Sequence, residues 1–270
     1  MTCSLGLALG PDGTLYAAWT EYEGRLHVIR STDGGRIFSE PVHVAGDDAE
    51  PARGPSLAVH DEGVVHLAWT VGEDATADIR VARSGDDGHT FDEPQHVGAG
   101  PGHADAPKLA VDGDGTVHLA YAESPHGPGG RYHIRYTRRR PGSDEFEHPG
   151  QIAAPTDDIA SVAFPHLALD DDNGVYLVWE QFPDARGRPR GLGFTMSIDG
   201  GDTFAPATTV PRTDNDALGF SGSQQGLLMR KLAVNDAGAV ALVNSTFRQG
   251  RASHVWLIHG RVETGRANDP

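Results

Sequence analysis

The sequence contains a single cysteine, Cys3, among its 270 residues. One thiol cannot form an intrachain disulfide, and it cannot supply a cysteine-based metal cluster. Long apolar runs are also missing: a run such as Ala239–Val243 is far shorter than the about 20 residues of a membrane-spanning helix. The first residues lack a basic stretch followed by an apolar one, so no signal peptide is indicated. We therefore expect a cytoplasmic protein, although a secreted chain whose signal had been removed would read the same.

Positive charge is scarce as well, because 22 Lys and Arg residues face 38 Asp and Glu residues, for a formal net charge of −16. Such a field repels nucleic acid and anionic membranes, so we expect neither as a partner. It fits a solvated acidic surface or a site for a cationic ligand. A local arginine cluster can still bind a carboxylate, because charges act mainly within a Debye length of about 10 Å.

Glycine and proline are abundant, at 35 and 18 residues, as in a turn-rich all-β protein. One pattern occurs five times, with an alternating apolar run, a glycine-containing turn and a second alternating run. Such a pattern predicts a β-hairpin. The five copies begin at Leu7, Leu57, Leu109, Leu167 and Leu232.

The spacing of the copies predicts a propeller. They start between 50 residues apart (Leu7 to Leu57) and 65 residues apart (Leu167 to Leu232), which is the period of a propeller blade. A third strand pattern follows each hairpin, and a short fourth one follows in most copies. We therefore predict an all-β fold, a single β-propeller domain over residues 1–270 with about five four-stranded blades. Four are complete, and the fifth has barely room for a fourth strand; they span residues 4–45, 55–98, 107–153, 165–211 and 230–263.

A second motif follows the third strand of three repeats. Ser31–Phe38 reads STDGGRIF, and the pattern recurs at Ser84–Phe91 and Ser197–Phe204. The Asp side chain can bond backbone amides of its own turn, and the glycines permit positive φ. The motif resembles the Asp box, S-x-D-x-G-x-T-F/W, of sialidases and related propellers. That resemblance implies a sialidase-like propeller in which the box is structural and lies away from the ligand.

Sialidases usually have six blades, so the resemblance leaves two possibilities for this chain. It forms either a five-bladed ring or a six-bladed arrangement from which one blade is missing. We favour five blades, because an open ring would leave strand edges exposed, which proteins avoid.

Arg53 opens an innermost strand in Arg53-Gly54-Pro55, which resembles the sialidase R-I-P motif. In that family the arginine binds the sialic acid carboxylate, which a guanidinium can hold by two parallel hydrogen bonds. The segment Val243–Arg248 is similar to the family's L-N-S-R segment, with Arg248 two residues beyond the place of its second carboxylate-binding arginine. Arg230 is the best candidate for a third. The resemblance thus implies substrate binding by Arg53, Arg230 and Arg248.

The resemblance also indicates an acid but leaves the nucleophile unassigned. In the family the general acid lies about ten positions before the box serine, a stretch that Glu73 and Asp74 occupy here. The family's nucleophilic tyrosine pairs with a glutamate, yet the corresponding strand at residues 230–234 reads RKLAV. For the tyrosine itself, only Tyr22 and Tyr121 are candidates.

Two further sets of polar residues are candidates for the same face. Three carboxylates follow the second strand of a blade and could act as acid and base or hold a cation: Glu21, Glu123 and Glu180. Three histidines lie in or beside loops of that face and are the best candidates for metal binding: His103, His126 and His166. Strand alternation and blade-edge polarity explain both sets without a function, and we expect no metal and no cofactor.

The sequence leaves several functions open, because a fold does not imply a function. The missing glutamate favours a non-catalytic or degenerate sialidase-like propeller that binds a glycan, such as an acidic sugar, or a protein partner. The alternative is an exo-sialidase-like glycoside hydrolase acting on a carboxylated sugar. An unrelated enzyme with its residues on the long loop 211–230 is a third possibility. Nothing in the sequence indicates the oligomeric state.

Overall fold

The computed structural model describes residues 2–60, 63–98, 102–214, 220–221, 231–235, 237–247 and 253–261. These residues form twenty β-strands in five antiparallel sheets and no α-helix. No helix in the described part of the chain is therefore long and apolar enough to cross a membrane. The all-β prediction is confirmed.

Each of the first four sheets contains four consecutive strands in chain order, as a propeller blade does. Blade 1 contains β1 (Thr2–Leu9), β2 (Leu15–Glu21), β3 (Leu26–Ser31) and β4 (Val42–Ala45). Blade 2 contains β5 (Ala52–His60), β6 (Val64–Val71), β7 (Asp78–Ser84) and β8 (Gln95–His96). Blade 3 contains β9 (His103–Val111), β10 (Val117–Ser124), β11 (His133–Arg139) and β12 (Gly150–Ala153). Blade 4 contains β13 (Ser161–Leu169), β14 (Val175–Phe182), β15 (Leu192–Ser197) and β16 (Thr208–Thr209).

Blade 5 is built differently. Its strands are β17 (Phe220–Ser221), β18 (Leu232–Val234), β19 (Ala239–Phe247) and β20 (Ser253–Arg261). Both β17 and β18 pair with β19, and β20 pairs with β19 along its whole length. Since a strand has two edges, β17 and β18 share the inner edge of β19. Within the described residues this blade has three strand positions and no outer fourth strand.

The innermost strands of all five blades surround one central cavity of about 1510 Å³. Each blade contributes the leucine that starts its repeat to the lining of this cavity: Leu7, Leu57, Leu109, Leu167 and Leu232. A common cavity lined by the inner strand of every sheet is the arrangement of a β-propeller. The prediction of about five blades is confirmed.

The blades pack face to face through aliphatic and aromatic side chains. Trp69, Tyr121 and Trp179 occupy the same position of the second strand, and each is at most 2% exposed. Trp69 packs against blade 1, Tyr121 against blade 2 and Trp179 against blade 3. Burying a side chain of this size contributes about 2–3 kcal/mol to folding. Because successive side chains of a strand point to opposite faces, the side chains on the opposite face of each blade point towards the following blade.

Among the described residues, no neighbouring blade packs on the face of blade 1 that carries Leu7, whereas the same face of the other blades packs against a neighbour. Leu7 is 59% exposed, whereas its repeat equivalents Leu57 and Leu109 are 3% and 5% exposed. Phe38 in the first Ser-x-Asp turn is 41% exposed, whereas its equivalent Phe91 packs between blades 1 and 2. Within the described residues, the boundary between blade 5 and blade 1 is therefore not packed like the four others.

Three inner strands begin earlier than the sequence predicted. We placed their starts at residues 55, 107 and 165, whereas β5, β9 and β13 begin at residues 52, 103 and 161. The residue before each proline has a positive φ: Gly54 at 60°, Ala106 at 58° and Phe164 at 54°. The pairing register shifts at the same place. A β-bulge thus lets the strand continue through a proline, which cannot donate to the ladder.

The three Ser-x-Asp turns share one hydrogen-bond pattern. In the turn of blade 4, Ser197 Oγ donates to Asp199 Oδ1 at 2.6 Å and accepts from Gly201 N at 2.8 Å. Thr203 donates to the same carboxylate from its backbone and from its hydroxyl. These bonds lower the pKa of Asp199 to about 2. The carboxylate therefore acts as the fixed acceptor of its own turn.

We predict unequal effects of two neighbouring substitutions in this turn. Gly200 and Gly201 both have positive φ, but only a Cβ on Gly201 would overlap the buried ring of Tyr136. Gly200→Ala should cost about 1 kcal/mol from backbone strain, and Gly201→Ala about 2–4 kcal/mol in total. Urea unfolding of both variants measures the difference. Equal losses would show that contact with Tyr136 does not matter.

Candidate functional site

The bulges place three residues at one register position at the mouth of the inner strands. Arg53 pairs with Thr70 in blade 2, and Asp105 pairs with Ala122 in blade 3. In blade 4 the same position is held by Ala163, whose partner is Glu180. Adjacent blades thus present an arginine and an aspartate side by side at this rim.

Asp105 is the centre of the polar contacts at the rim. Thr70 Oγ1 donates to Asp105 Oδ1 at 2.9 Å, and Arg53 Nη2 lies 3.8 Å from Asp105 Oδ2. Burial alone would raise the pKa of Asp105, but the neighbouring His103 ring and the charge of Arg53 hold it below the ordinary value. Asp105 is therefore an ionised carboxylate at neutral pH. We call Arg53, Thr70, His103, Asp105 and Tyr132 the rim cluster.

His103 connects this carboxylate to the loop after β6. Its Nδ1 donates to the backbone carbonyl of Asp74 at 2.6 Å, and its Nε2 lies 3.9 Å from Asp105 Oδ2. Because Nδ1 carries the proton that it donates, protonation of the ring occurs at Nε2, facing the carboxylate. Asp105 therefore raises the pKa of His103, although burial opposes this.

Tyr132 covers the cluster from the neighbouring loop. Its ring meets that of His103 edge to face, with centroids 5.9 Å apart. Burial raises the pKa of the Tyr132 hydroxyl, and the negative charge of Asp105 adds to this effect. The phenol therefore stays protonated at neutral pH.

Arg53 has hydrogen-bond donors without a protein acceptor. Its Nε and Nη2 atoms are buried, and neither has a hydrogen-bond partner among the described residues. These two atoms form one edge of the guanidinium, the edge that can hold a carboxylate by two parallel bonds. A buried donor without a partner is costly, since it has lost its water. At the rim, one edge of the Arg53 guanidinium thus has two donors that make no hydrogen bond to the described residues.

The predicted acids lie at the edge of this cluster. Glu73 is exposed, and Asp74 is exposed in the same loop. The Asp74 carboxylate accepts hydrogen bonds from the hydroxyl and the backbone of Thr76, and these lower its pKa. A general acid needs a raised pKa rather than a lowered one. Only the backbone of Asp74 contacts the rim cluster, through His103, so the catalytic role of both residues stays a prediction.

A buried ion pair lies between blades 4 and 5. Lys231 Nζ donates to Glu180 Oε1, and the two side chains are 3% and 1% exposed. The other carboxylate oxygen, Glu180 Oε2, has no hydrogen-bond partner among the described residues. Burial raises the pKa of Glu180, and the ammonium of Lys231 opposes the shift. His166 joins the pair, because its Nδ1 accepts from Lys231 N at 3.4 Å.

The other predicted residues fall into two groups. Two arginines lie outside the residues that the structure describes, and one of three glutamates occupies a different position along its strand from the other two. Arg230 and Arg248 lie outside the described residues, so their predicted binding role stays a prediction. Glu21 and Glu123 share one register position, but Glu180 lies one residue earlier in its strand and faces the opposite side. The three glutamates therefore do not form one set of equivalent carboxylates.

Sequence reasoning missed Asp105, because the segment before Pro107 was assigned to a loop. The signal was present, since Arg53 and Asp105 both stand two residues before the proline of their inner strand. Of the predicted metal-binding histidines, His103 and His166 make the contacts described above. No group of three or more His, Cys, Asp or Glu side chains that could hold a metal occurs within the described ranges.

No protein-family model and no curated protein matches this chain. Solved structures do match it. An α-L-arabinanase from Penicillium chrysogenum has a TM-score of 0.64 at 16% identity, covering 95% of this chain and 77% of that one. An endo-arabinase from Bacteroides thetaiotaomicron has a TM-score of 0.60 at 13% identity, covering 97% and 94%. The NanB sialidase from Streptococcus pneumoniae has a TM-score of 0.65 at 10% identity, covering 98% and 59%. The chain thus has a sialidase-like propeller fold, which arabinanases share.

The raised pKa of His103 predicts a pH-dependent contribution to stability. A raised folded-state pKa gives stabilisation that is complete below the unfolded value of 6.5 and is lost as pH rises through the folded value. His103→Gln should therefore destabilise the protein more at about pH 5.5 than at about pH 8.5. Urea unfolding at both pH values measures this. The exposed His126→Gln serves as control, and an equal loss at both values would refute the pairing with Asp105.

Proposed function

We propose that this chain is a degenerate sialidase-like propeller that binds a carboxylated sugar at the rim cluster. The observation that carries the proposal is the Arg53 edge, whose buried Nε and Nη2 lack a hydrogen-bond partner among the described residues. Asp105 is 3.8 Å from Nη2, so it balances the charge of Arg53 without occupying that edge. A planar anion with two oxygens satisfies both donors at once.

The remaining groups of the cluster suit the hydroxyls of a sugar. Asp105 is an ionised acceptor, and the Tyr132 phenol and the Thr70 hydroxyl lie beside it. The rest of the chain has a strong negative charge and repels an anionic ligand, so affinity depends on the local cation. Solved structures of similar fold include sialidases and arabinanases, which supports a sugar as the ligand.

The Ser-x-Asp turns support the finer resemblance to Asp-box sialidases. Their hydrogen bonds fix a tight turn, as the resemblance implies. Ser84 pairs with Val65 near the start of β6, whereas Arg53 pairs with Thr70 near its end. The turns therefore lie at the opposite end of the blades from the rim cluster, as expected for a structural motif.

The sequence of β18 favours binding without sialidase chemistry. The strand expected to carry the glutamate partner of a nucleophilic tyrosine is Leu232–Val234 here, and Lys231 precedes it. A lysine cannot accept the proton that a glutamate takes from a phenol. The rim cluster thus retains groups for recognition, whereas the glutamate partner of a sialidase-type nucleophile has no counterpart in this strand.

Arg53 is the residue to test. Calorimetry with a panel of sialic and uronic acids should detect binding to the intact protein. Arg53→Ala should weaken it by about 2–4 kcal/mol, since the ligand carboxylate loses both bonds. Arg53→Lys should also weaken it, because an ammonium cannot form the fork. Arg36→Lys, on an exposed turn at the other end of the blades, should leave affinity unchanged.

Two results would contradict the proposal in different ways. Binding that survives Arg53→Ala would remove Arg53 from the site. No binding of any acidic sugar by the intact protein would remove the ligand class, and a protein partner would then be the better account.

A glycoside hydrolase is the second candidate, and one observation favours it. Environments that shift the pKa values of two carboxyl groups apart are a sign of acid and base roles. Here Asp105 has a lowered pKa and Glu180 a raised one, and both belong to the mouth register of neighbouring blades. Glu180 would then donate a proton, and Asp105 would act as the carboxylate.

Hydrolysis assays with fluorogenic sialosides and arabinosides test this candidate. If it holds, the intact protein should cleave one of them, and Asp105→Asn and Glu180→Gln should each lower the rate at least about 100-fold. Thermal melts check that both variants fold, since Glu180→Gln changes a buried pair. Absence of cleavage together with sugar binding would exclude hydrolysis of these substrates and leave the binding proposal in place.

A further inference from the structure

A pocket of about 270 Å³ lies at the same end of blade 3 as the rim cluster. It is lined by His126, Arg131, His133 and Pro155, so most of its lining residues carry a basic group. No carboxylate from the described part of the chain belongs to the lining. This composition stands out in a chain where 38 Asp and Glu residues face 22 Lys and Arg residues. We call these four residues the basic pocket.

The basic pocket adjoins the rim cluster through Tyr132. The ring of Tyr132 meets that of His103 in the rim cluster. Its two sequence neighbours, Arg131 and His133, line the pocket. Successive side chains of an extended segment point to opposite sides, so a single residue can serve one site while its neighbours serve the other. The two sites are therefore neighbours at one end of the propeller.

Arg131 is held in place although its side chain is exposed. Its Nε donates to the carbonyl of Ala160 at 2.9 Å. In the next residue, Tyr132 N donates to Ser161 Oγ at 2.9 Å, and the Tyr132 carbonyl accepts from Val162 N at 3.1 Å. These bonds join the segment to the start of the inner strand of blade 4. A guanidinium fixed in this way loses less conformational entropy on binding than a free one.

The guanidinium of Arg131 also retains donors for a ligand. Nε uses only one of the N–H donors of an arginine. The Nη1 and Nη2 atoms make no hydrogen bond or ion pair with the described residues, and Asp157 and Asp158 on the turn after Pro155 do not pair with them. These two atoms form an edge that can hold a carboxylate by two parallel bonds.

Two imidazoles complete the basic pocket. His126 is exposed and has no hydrogen-bond or ion-pair partner in the part of the chain that is described. His133 is oriented by Gln151, because its Nδ1 donates to Gln151 Oε1 at 2.9 Å. Even a neutral imidazole has one N–H donor, so His126 can add a hydrogen bond to an anion. The guanidinium beside these rings repels a metal cation and attracts an anion.

We propose that the basic pocket binds a second carboxylate of the ligand, so that the preferred ligand is an acidic oligosaccharide rather than a single acidic sugar. One carboxylate would occupy the Arg53 edge, and that of another sugar unit would meet Arg131 and His126. The proposal rests on sugar binding at the rim cluster. Linking two contacts in one ligand raises affinity, because the second contact is then made at a high effective concentration.

The length and the charge of the ligand can be tested separately. In calorimetry, oligogalacturonates of two to four units should bind about ten- to a hundredfold more tightly than galacturonate, since they gain a charge-assisted contact. A disaccharide of one uronic acid and one neutral sugar should show no such gain, because it has the length without the second carboxylate.

Arg131→Gln should remove the gain with length and leave the affinity for galacturonate unchanged. Arg186→Gln is the matched control, because Arg186 is exposed between β14 and β15 at the same end of the propeller and does not line the pocket. It removes the same charge and should leave the gain intact. Thermal melts check that both variants fold.

The ring signals of the two histidines give a second readout. In ¹H–¹³C spectra, assigned with His126→Gln and His133→Gln, both signals should shift with saturation on titration with digalacturonate. They should stay in place with the disaccharide that has one carboxylate. Signals that do not move with digalacturonate would place the second carboxylate elsewhere and overturn the proposal.

The results distinguish this proposal from sugar binding at the rim cluster. A gain with length that is absent, or that survives Arg131→Gln, would overturn the second site and leave the binding of single acidic sugars at Arg53 in place. Equal weakening of galacturonate and its oligomers by Arg131→Gln would also overturn it, since Arg131 would then act on the first sugar. No binding of galacturonate or of any oligomer would overturn both proposals.

Discussion

The β-bulge before the proline of three inner strands determines where the polar groups of this propeller lie. Without it, a proline would end the strand, and the residues before it would belong to a loop. With it, Arg53 and Asp105 take their places on neighbouring strands in the same register. Ala106 and Phe164 accept a left-handed backbone to achieve this, a strain that often accompanies functional sites.

At the same end of the ring, two carboxyl groups have pKa values shifted in opposite directions. Asp105 is half-buried, accepts hydrogen bonds and faces Arg53, so its ionised form is favoured. Glu180 is buried with one oxygen on Lys231 and the other without a partner, so burial dominates and its pKa rises. The donors aimed at each carboxyl group, together with its burial, decide which form it takes.

The sequence was sufficient for the fold, because period-2 alternation, glycine turns and Ser-x-Asp motifs are local signals that repeat with each blade. The sequence also identified Arg53 as a candidate, because Arg53-Gly54-Pro55 resembles a known motif. Asp105 was missed because the bulge before Pro107 depends on pairing with a neighbouring strand, so the spacing to proline that Asp105 shares with Arg53 was not recognised as part of a strand. Glu180 was given the wrong register for a similar reason, since one residue of offset changes the face of a strand. The exposure of Leu7 could not be predicted either, because whether the face of a blade is buried depends on contacts between distant parts of the chain.

The packing of the ring also explains where a site can be held rigidly. Each blade covers the leucine face of the next, so blades 2, 3 and 4 are packed on both sides. Blade 1 is packed against blade 2 alone in the described part, and Leu7 remains largely exposed. In repeat architectures stability comes from the contacts between neighbours, so a unit with one neighbour opens more easily. The rim cluster belongs to blades 2 and 3 and Glu180 to blade 4, and a rigid scaffold on both sides is what precise placement of buried charges requires.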